Sequence, residues 1–314
     1  MSTSVSTAGR SGLVYLVGAG MLWGTGGLLG TLLHRATGLS PVSVATCRLA
    51  VGGLLLVALL ATRRRPWPRN PLAWRRVGAV AVLAAVFQAA YFGAVVASSV
   101  SLATLITIGM SPVVVAVLEH LTGGYAVDRC RAVTIGIALC GLALLVGDPS
   151  GGVSVGGLVA GAALAVAAAA AFAAVTVINA VPVPGLDAMT TTGLGFTGGA
   201  LLLAPLAATS GLAFDPTVRS VVLVLVLGLV PTAVAYTLYF RGLSNAGPGI
   251  AAVLALLEPL TGAALAAVVL GERLTTSGLA GAALLVVALL LAAIPSRSTA
   301  RIPDTATGRR RSRD

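Results

Sequence analysis

The 314-residue sequence contains no lysine, and all 20 of its basic residues are arginine. A phosphate-binding loop of the GxxxxGK[ST] kind is therefore excluded, because that loop needs a lysine to reach the outer phosphates. Acid is scarce too. Only 9 residues are Asp or Glu, and none of them precedes Glu119. A dinucleotide fingerprint fails on that count and on a second one, since Gly18-Ala19-Gly20 is followed by Trp23 where a third glycine should stand. No two acidic residues lie within four positions of each other, which removes the paired Asp-rich motifs of an intramembrane polyprenyl transferase. The two histidines, His34 and His120, fall at the ends of apolar runs, too far apart for a metal site and too far from mid-span for an intramembrane serine protease. The three cysteines, Cys47, Cys130 and Cys140, have no CxxC spacing and read as free thiols. Neither a metal, nor a cofactor, nor an enzyme active site is expected.

What the sequence has in abundance is apolar length. Hydrophobic residues make up 57% and charged ones 9%, against about 25% charged in soluble domains, and the mean hydropathy is +1.01. A helix crossing roughly 30 Å of hydrocarbon needs about 20 apolar residues. That ruler gives ten spans, near 13–33, 42–61, 77–97, 102–121, 131–147, 156–179, 188–208, 219–240, 248–270 and 277–295. The expected fold is an all-α integral membrane protein, with the lipid bilayer as its principal partner. The first span has no small-x-small cleavage site behind a short apolar core, so it reads as a retained helix, not a removable signal.

The sequence pI near 11.1 suggests nucleic acid only until the arginines are placed. They cluster at span ends, where they set orientation. With a cytoplasmic N-terminus, the inner segments hold Arg10, Arg63, Arg64, Arg65, Arg69, Arg75, Arg76, Arg129, Arg131, Arg241 and the six arginines of the tail, while the outer ones hold Arg35, Arg219 and Arg273. Both termini are thus expected in the cytoplasm, the protein in the plasma membrane, and nucleic acid is not a partner. Residues 1–12 form a short cytoplasmic segment, and 296–314 a basic, disordered tail drawn to anionic lipid.

The chain also repeats itself. Superposing Pro112 on Pro259 superposes Gly124 on Gly271, both at an interval of 147, and Tyr91-Phe92 recurs as Tyr239-Phe240 at 148. Residues 13–147 and 156–295 are read as two copies of a five-span unit, joined by the Gly/Ser/Pro-rich linker 148–155. Five is odd, so the second copy enters the membrane from the opposite side. Two inverted five-helix repeats are the architecture of secondary transporters, which hold their site near mid-membrane between the repeats. From organisation alone, a small-molecule substrate and alternating access are expected.

Polar residues inside the spans mark where such a site would lie. Glu258 stands at the middle of the ninth span, and a charge there costs at least roughly 2.5–3.5 kcal/mol unless it faces protein or water. Pro259 beside it has no N–H and leaves the Ala255 carbonyl without its helical partner. Ser111-Pro112 is the equivalent pair in the first repeat. Arg48 reads either as a snorkelling or structurally paired cation or as a partner of substrate or of Glu258. Trp23 reads as core packing or as a wall of the site. Gln88, Tyr91 and Phe92 share one helical face, as do Thr104, Thr107 and Ser111, and Thr232, Tyr236 and Tyr239. These stripes suit either interhelical hydrogen bonds or a lined cavity. Pro112, Pro231 and Pro259 are candidate helix breaks. Thr176 and Asn179 read as helix-end groups, as do Thr190, Thr191 and Thr192. Gly20, Gly24, Gly26 and Gly30 read as close-packing positions.

Leu257-Glu258-Pro259 followed by Leu270-Gly271-Glu272-Arg273-Leu274, with Trp23-Gly24, Arg48 and the Tyr-Phe pairs, resembles the EamA-type transporters of the drug/metabolite transporter superfamily. The resemblance covers about residues 13–295. It implies ten helices in inverted repeats and a role in moving amino acids, related metabolites or drugs, often outward. Ser111-Pro112 and Gly124-Tyr125 depart from the family's Glu-Pro and Gly-Glu, so any carboxylate role rests on Glu258 alone. Glu258 would be the ionisable member of the site, either recognising a cationic group or exchanging a proton; the resemblance does not imply proton-driven antiport, and an importer or a channel-like facilitator is the rival reading.

Overall fold

The computed structural model describes residues 4–123, 129–146, 154–270 and 275–293. Gly124, Tyr125, Gly271 to Leu274, linker residues 148–153 and the basic tail lie outside the described residues. Ten helices are long and apolar enough to cross a membrane: α1 (Ser11–Thr37), α2 (Pro41–Thr62), α3 (Pro71–Ala97), α4 (Val100–Thr122), α5 (Arg129–Val146), α6 (Val155–Ala180), α7 (Ala188–Thr209), α8 (Val218–Ala246), α9 (Pro248–Val269) and α10 (Thr276–Ala293). They fall on the ten apolar runs of the sequence. α3 starts well before residue 77 because Asn70 accepts a hydrogen bond from the Leu72 N–H at 2.9 Å and Pro71 occupies the first helical position. α8 runs past residue 240 to Ala246, where Gly247 at φ +82° stops it.

The two repeats share their punctuation. Left-handed residues occur at Gly38 and Arg64 in the first repeat and at Gly185 and Gly211 in the second, each pair 147 residues apart. Helix caps follow the same interval: Ser40 caps α2 as Asp187 caps α7, and Asn70 caps α3 as Thr217 caps α8. The duplication thus survives in turn geometry where side-chain identity has drifted.

Packing does not separate the repeats into two bodies. α1 packs along α8 and α9, and α2 along α8; in mirror fashion, α6 packs along α3 and α4, and α7 along α3. One bundle is therefore α1, α2, α8 and α9, and the other is α3, α4, α6 and α7, each drawing two helices from either repeat. Two symmetric pairs join the bundles, α2 with α7 and α5 with α10. Both joints rest on glycine. A Cβ at Gly53 would lie 2.6 Å from the Thr197 nitrogen, and one at Gly141 would lie 2.9 Å from the Gly281 carbonyl oxygen. The α2–α7 joint is also strapped at its ends, where the Ser43 hydroxyl donates to the Gly211 carbonyl at 2.7 Å and Arg65 pairs with Asp187 at 3.5 Å across an exposed surface.

Beyond these joints the bundles meet chiefly through α8 residues Ala235–Ala246 and α9 residues Pro248–Leu254. Both segments lie toward the face that carries the first and last described residues and loops 63–70 and 181–187. This is termed the N-terminal face. There Val115 of α4, Ala173 of α6 and Ala252 of α9 form one buried cluster. Toward the opposite face, which carries loops 38–40, 98–99 and 210–217, the bundles part.

Candidate solute-binding site

The parting leaves a cavity of about 370 Å³. Its walls come from α1, α2, α8 and α9 on one side and from α3, α4 and α6 on the other. It runs from Trp23 and Glu258 at mid-depth to His34, Pro41 and Val100, which are exposed at the rim on the opposite face. The rim is held by a tight α1–α2 turn in which Nδ1 of His34 donates to the Leu39 carbonyl at 2.7 Å.

Glu258 reaches the cavity because α9 is two half-helices. The first ends at Leu254, the second starts at Leu257, and Ala255 and Leu256 form the turn between them. The Ala255 carbonyl, expected to be orphaned by Pro259, instead accepts the Glu258 N–H at 3.0 Å, the shorter span of a 3₁₀ turn. Glu258 thus sits in the first turn of the second half-helix, whose positive N-terminal end opens at mid-membrane. Its equivalent, Ser111, lines the same cavity from α4. Here the repeats differ: α4 stays α-helical through Pro112, correcting the expected break, and the Ser111 hydroxyl bonds back to the Thr107 carbonyl at 2.7 Å. Pro231 acts differently again, standing in a π-helical turn over Leu229–Val234.

Arg48 enters from α2, half-buried, with one terminal nitrogen beside Gly26, where an added Cβ would stand 3.9 Å away. It lines the cavity together with Glu258, yet the ion pairs among the described residues are Arg65–Asp187 and Arg131–Glu119, and no ion pair joins Arg48 to Glu258. The Arg48 Nε is buried without a hydrogen-bond partner. Two opposite charges therefore face one compartment from different repeats, on two helices of the same bundle, and neither neutralises the other by contact.

Around them the walls are largely aromatic. Trp23, Phe87, Tyr91, Phe92, Phe172 and Tyr236 line the cavity, with Phe87 stacked on Tyr91 at 6.2 Å. Gln88 and Thr107 add polar edges. Of the remaining candidates, Thr104 stands behind the wall, its hydroxyl bonded to that of Tyr91 at 2.9 Å. Thr232 is fully buried and donates to the Leu227 carbonyl at 2.9 Å, taking up backbone that Pro231 leaves loose. Tyr239 points away from the cavity, and its hydroxyl bonds that of Thr176 in α6 at 2.9 Å. Thr176, expected as a helix-end group, is thereby an interhelical partner.

Sequence reasoning missed Phe87 and Phe172 altogether. Phe172 was legible in principle, as the one large side chain in an alanine run from Ala167 to Ala174. Phe87 was not, because nothing in the spacing separates it from a lipid-facing aromatic. Trp23 is 6% exposed and both packs and lines, with ring centroids 4.8 Å from those of Tyr236 and Tyr239. Its indole N–H has no hydrogen-bond partner, a burial that costs about 1–3 kcal/mol.

Ten spans in two inverted repeats around a mid-membrane cavity with buried charge define a multi-pass membrane transporter. Residues 10–147 and 159–294 each match the EamA-like transporter family, and the chain belongs to that family. It is 30% identical over 278 residues to a Bacillus subtilis (strain 168) protein named Uncharacterized transporter YwfM, covering 88% of this chain and 92% of that protein. A crystal structure at 19% identity superposes with a TM-score of 0.70 over 93% of this chain and 97% of its own, a likeness of fold alone.

Proposed function

We propose that this protein is a secondary transporter that exports small metabolites of the amino acid kind, or related amines and carboxylates, by alternating access. Amphipathic drugs would use the same aromatic walls. One observation carries the reading: Glu258 and Arg48 line one cavity without pairing, so a solute bearing an ammonium and a carboxylate can satisfy both. Desolvating two opposite charges without a ligand is unfavourable, and a zwitterion supplies what each lacks. Proton exchange at Glu258 would couple transport to the proton gradient. The site lies in the plasma membrane with both termini cytoplasmic, as the arginine distribution supports, so the cavity opens outward.

The rocking bodies would be the two mixed bundles, in place of the sequence halves 13–147 and 156–295. The experiment is a thermal-shift screen of the purified protein against amino acids, polyamines, simple carboxylates, sugars and cationic drugs. A ligand at 100 times its Kd stabilises by about 2.7 kcal/mol. Zwitterions should raise the melting temperature more than amines or carboxylates of the same size, and equal shifts across these groups would remove the charge-pair argument. Counterflow in proteoliposomes then separates a carrier from a facilitator: saturable exchange is expected, and flux without saturation or exchange would favour the channel-like reading.

A further inference from the structure

A second cavity, of about 250 Å³, lies at the N-terminal face and is lined among others by Arg76, Asn179, Asp187, Thr191, Phe240 and Arg241. No role in the reading above uses it. It lies at the other ends of helices that wall the first cavity. Phe172 of α6 lines the first and Asn179 the second, seven residues and about 10 Å along the same helix. On α8, Tyr236 lines the first and Phe240 the second, and their rings touch at a centroid distance of 6.2 Å. An aromatic layer therefore separates the two compartments: Trp23 contacts Phe172, Tyr236 and Tyr239, and Phe172 contacts Tyr239, at 4.8–5.9 Å, with Phe240 beneath against Tyr236 and Tyr239.

We propose that this layer is the shut gate of the transport path on the N-terminal face, that the basic pit is the vestibule it opens into, and that the Tyr239–Thr176 hydrogen bond is its latch. The inference rests on the carrier reading given above. Three features favour it. The latch joins α8 of one bundle to α6 of the other, so it must break if the bundles rock apart on this face. Trp23 is held in the layer with its indole N–H unpartnered, so the shut state carries a cost that opening toward the wet pit would relieve. Below the layer the seal continues as helix packing within one bundle, where a Cβ at Gly242 would lie 2.8 Å from the Gly12 carbonyl oxygen. α1 and α8 therefore move together, and the parting surface is made of the aromatic layer and the buried Val115–Ala173–Ala252 cluster beside it.

The test is sided labelling of the full-length protein in membrane vesicles, with Cys47, Cys130 and Cys140 replaced by alanine and Ile108→Cys placed in the wall of the first cavity. A membrane-impermeant maleimide is applied from either face. With the gate intact, labelling from the cavity face should be at least tenfold faster than from the N-terminal face. Tyr239→Phe and Thr176→Val, which remove the latch at nearly constant volume, should each raise the N-terminal-face rate severalfold. Labelling that stays confined to the cavity face in both variants, with unchanged melting temperature, would overturn the gate and leave the carrier reading standing. Equal labelling from both faces before any latch substitution would overturn both.

Discussion

Arg48 and Glu258 come from different repeats, and in the proposed site each could meet a solute charge only because the other does not quench it. Glu258→Gln keeps the size of the side chain and removes its charge. Transport of a zwitterion in proteoliposomes should fall about tenfold to a hundredfold, the factor for a lost charge-assisted contact of about 1.5–3 kcal/mol. Arg48→Gln should cut transport of carboxylate-bearing solutes by a similar factor and leave simple amines unaffected. Identical losses for both solute classes in both variants would count against separate charge recognition. Glu258 was legible from its cost in lipid. The freedom of Arg48 was not, because one arginine in an apolar span looks the same whether it is paired, snorkelling or facing a cavity.

At the level of elements, the defects in α8 and α9 shape the site as much as the side chains do. Pro259→Ala restores an N–H to α9 and removes the reason for the turn at Ala255–Leu256. We expect a melting temperature equal to or above that of the parent, together with transport reduced at least tenfold as Glu258 is carried off its bearing. Glycine contacts make a second, opposite forecast. A Cβ at Gly24 would stand 2.5 Å from Thr261 Cβ and 2.9 Å from the Glu258 carbonyl oxygen, so Gly24→Ala should destabilise by about 1–3 kcal/mol. Gly78 has nothing within 4 Å of an added Cβ, so Gly78→Ala should stabilise by about 0.5–1 kcal/mol. Thermal melts of the two variants, shifted in opposite directions, check the close approach of α1 to α9. The stripe of Thr232, Tyr236 and Tyr239 shows where spacing misleads. A straight helix puts all three on one face, but the π turn over Leu229–Val234 shifts Thr232 out of register with Tyr236, so Tyr236 lines the cavity while Thr232 bonds backbone; Tyr239, in regular α-helix three residues beyond Tyr236, lies behind the wall and bonds Thr176.

For the whole molecule, the crossing of helices between bundles makes each repeat incomplete by itself. A half ending in the 148–153 linker keeps α1 and α2 but lacks the α8 and α9 surfaces they pack on. Expressed alone, residues 1–150 or 151–314 should be degraded; co-expressed, they should accumulate and co-purify. A stable single half would argue that the repeats are independent bodies. The sequence by itself determined the number of spans, the odd number of them in each repeat, and the depth at which Glu258 and Pro259 interrupt the ninth span, because length and proline act locally and lipid admits few alternatives. Only the tertiary structure decided which helices share a bundle, which aromatic rings face the cavity and which seal it, and that Arg48 stays unpaired. In a bilayer an apolar residue is equally at home against lipid or protein, so hydropathy carries no mark of which side faces in. Those choices are made by glycine-scale fit between surfaces distant in the chain.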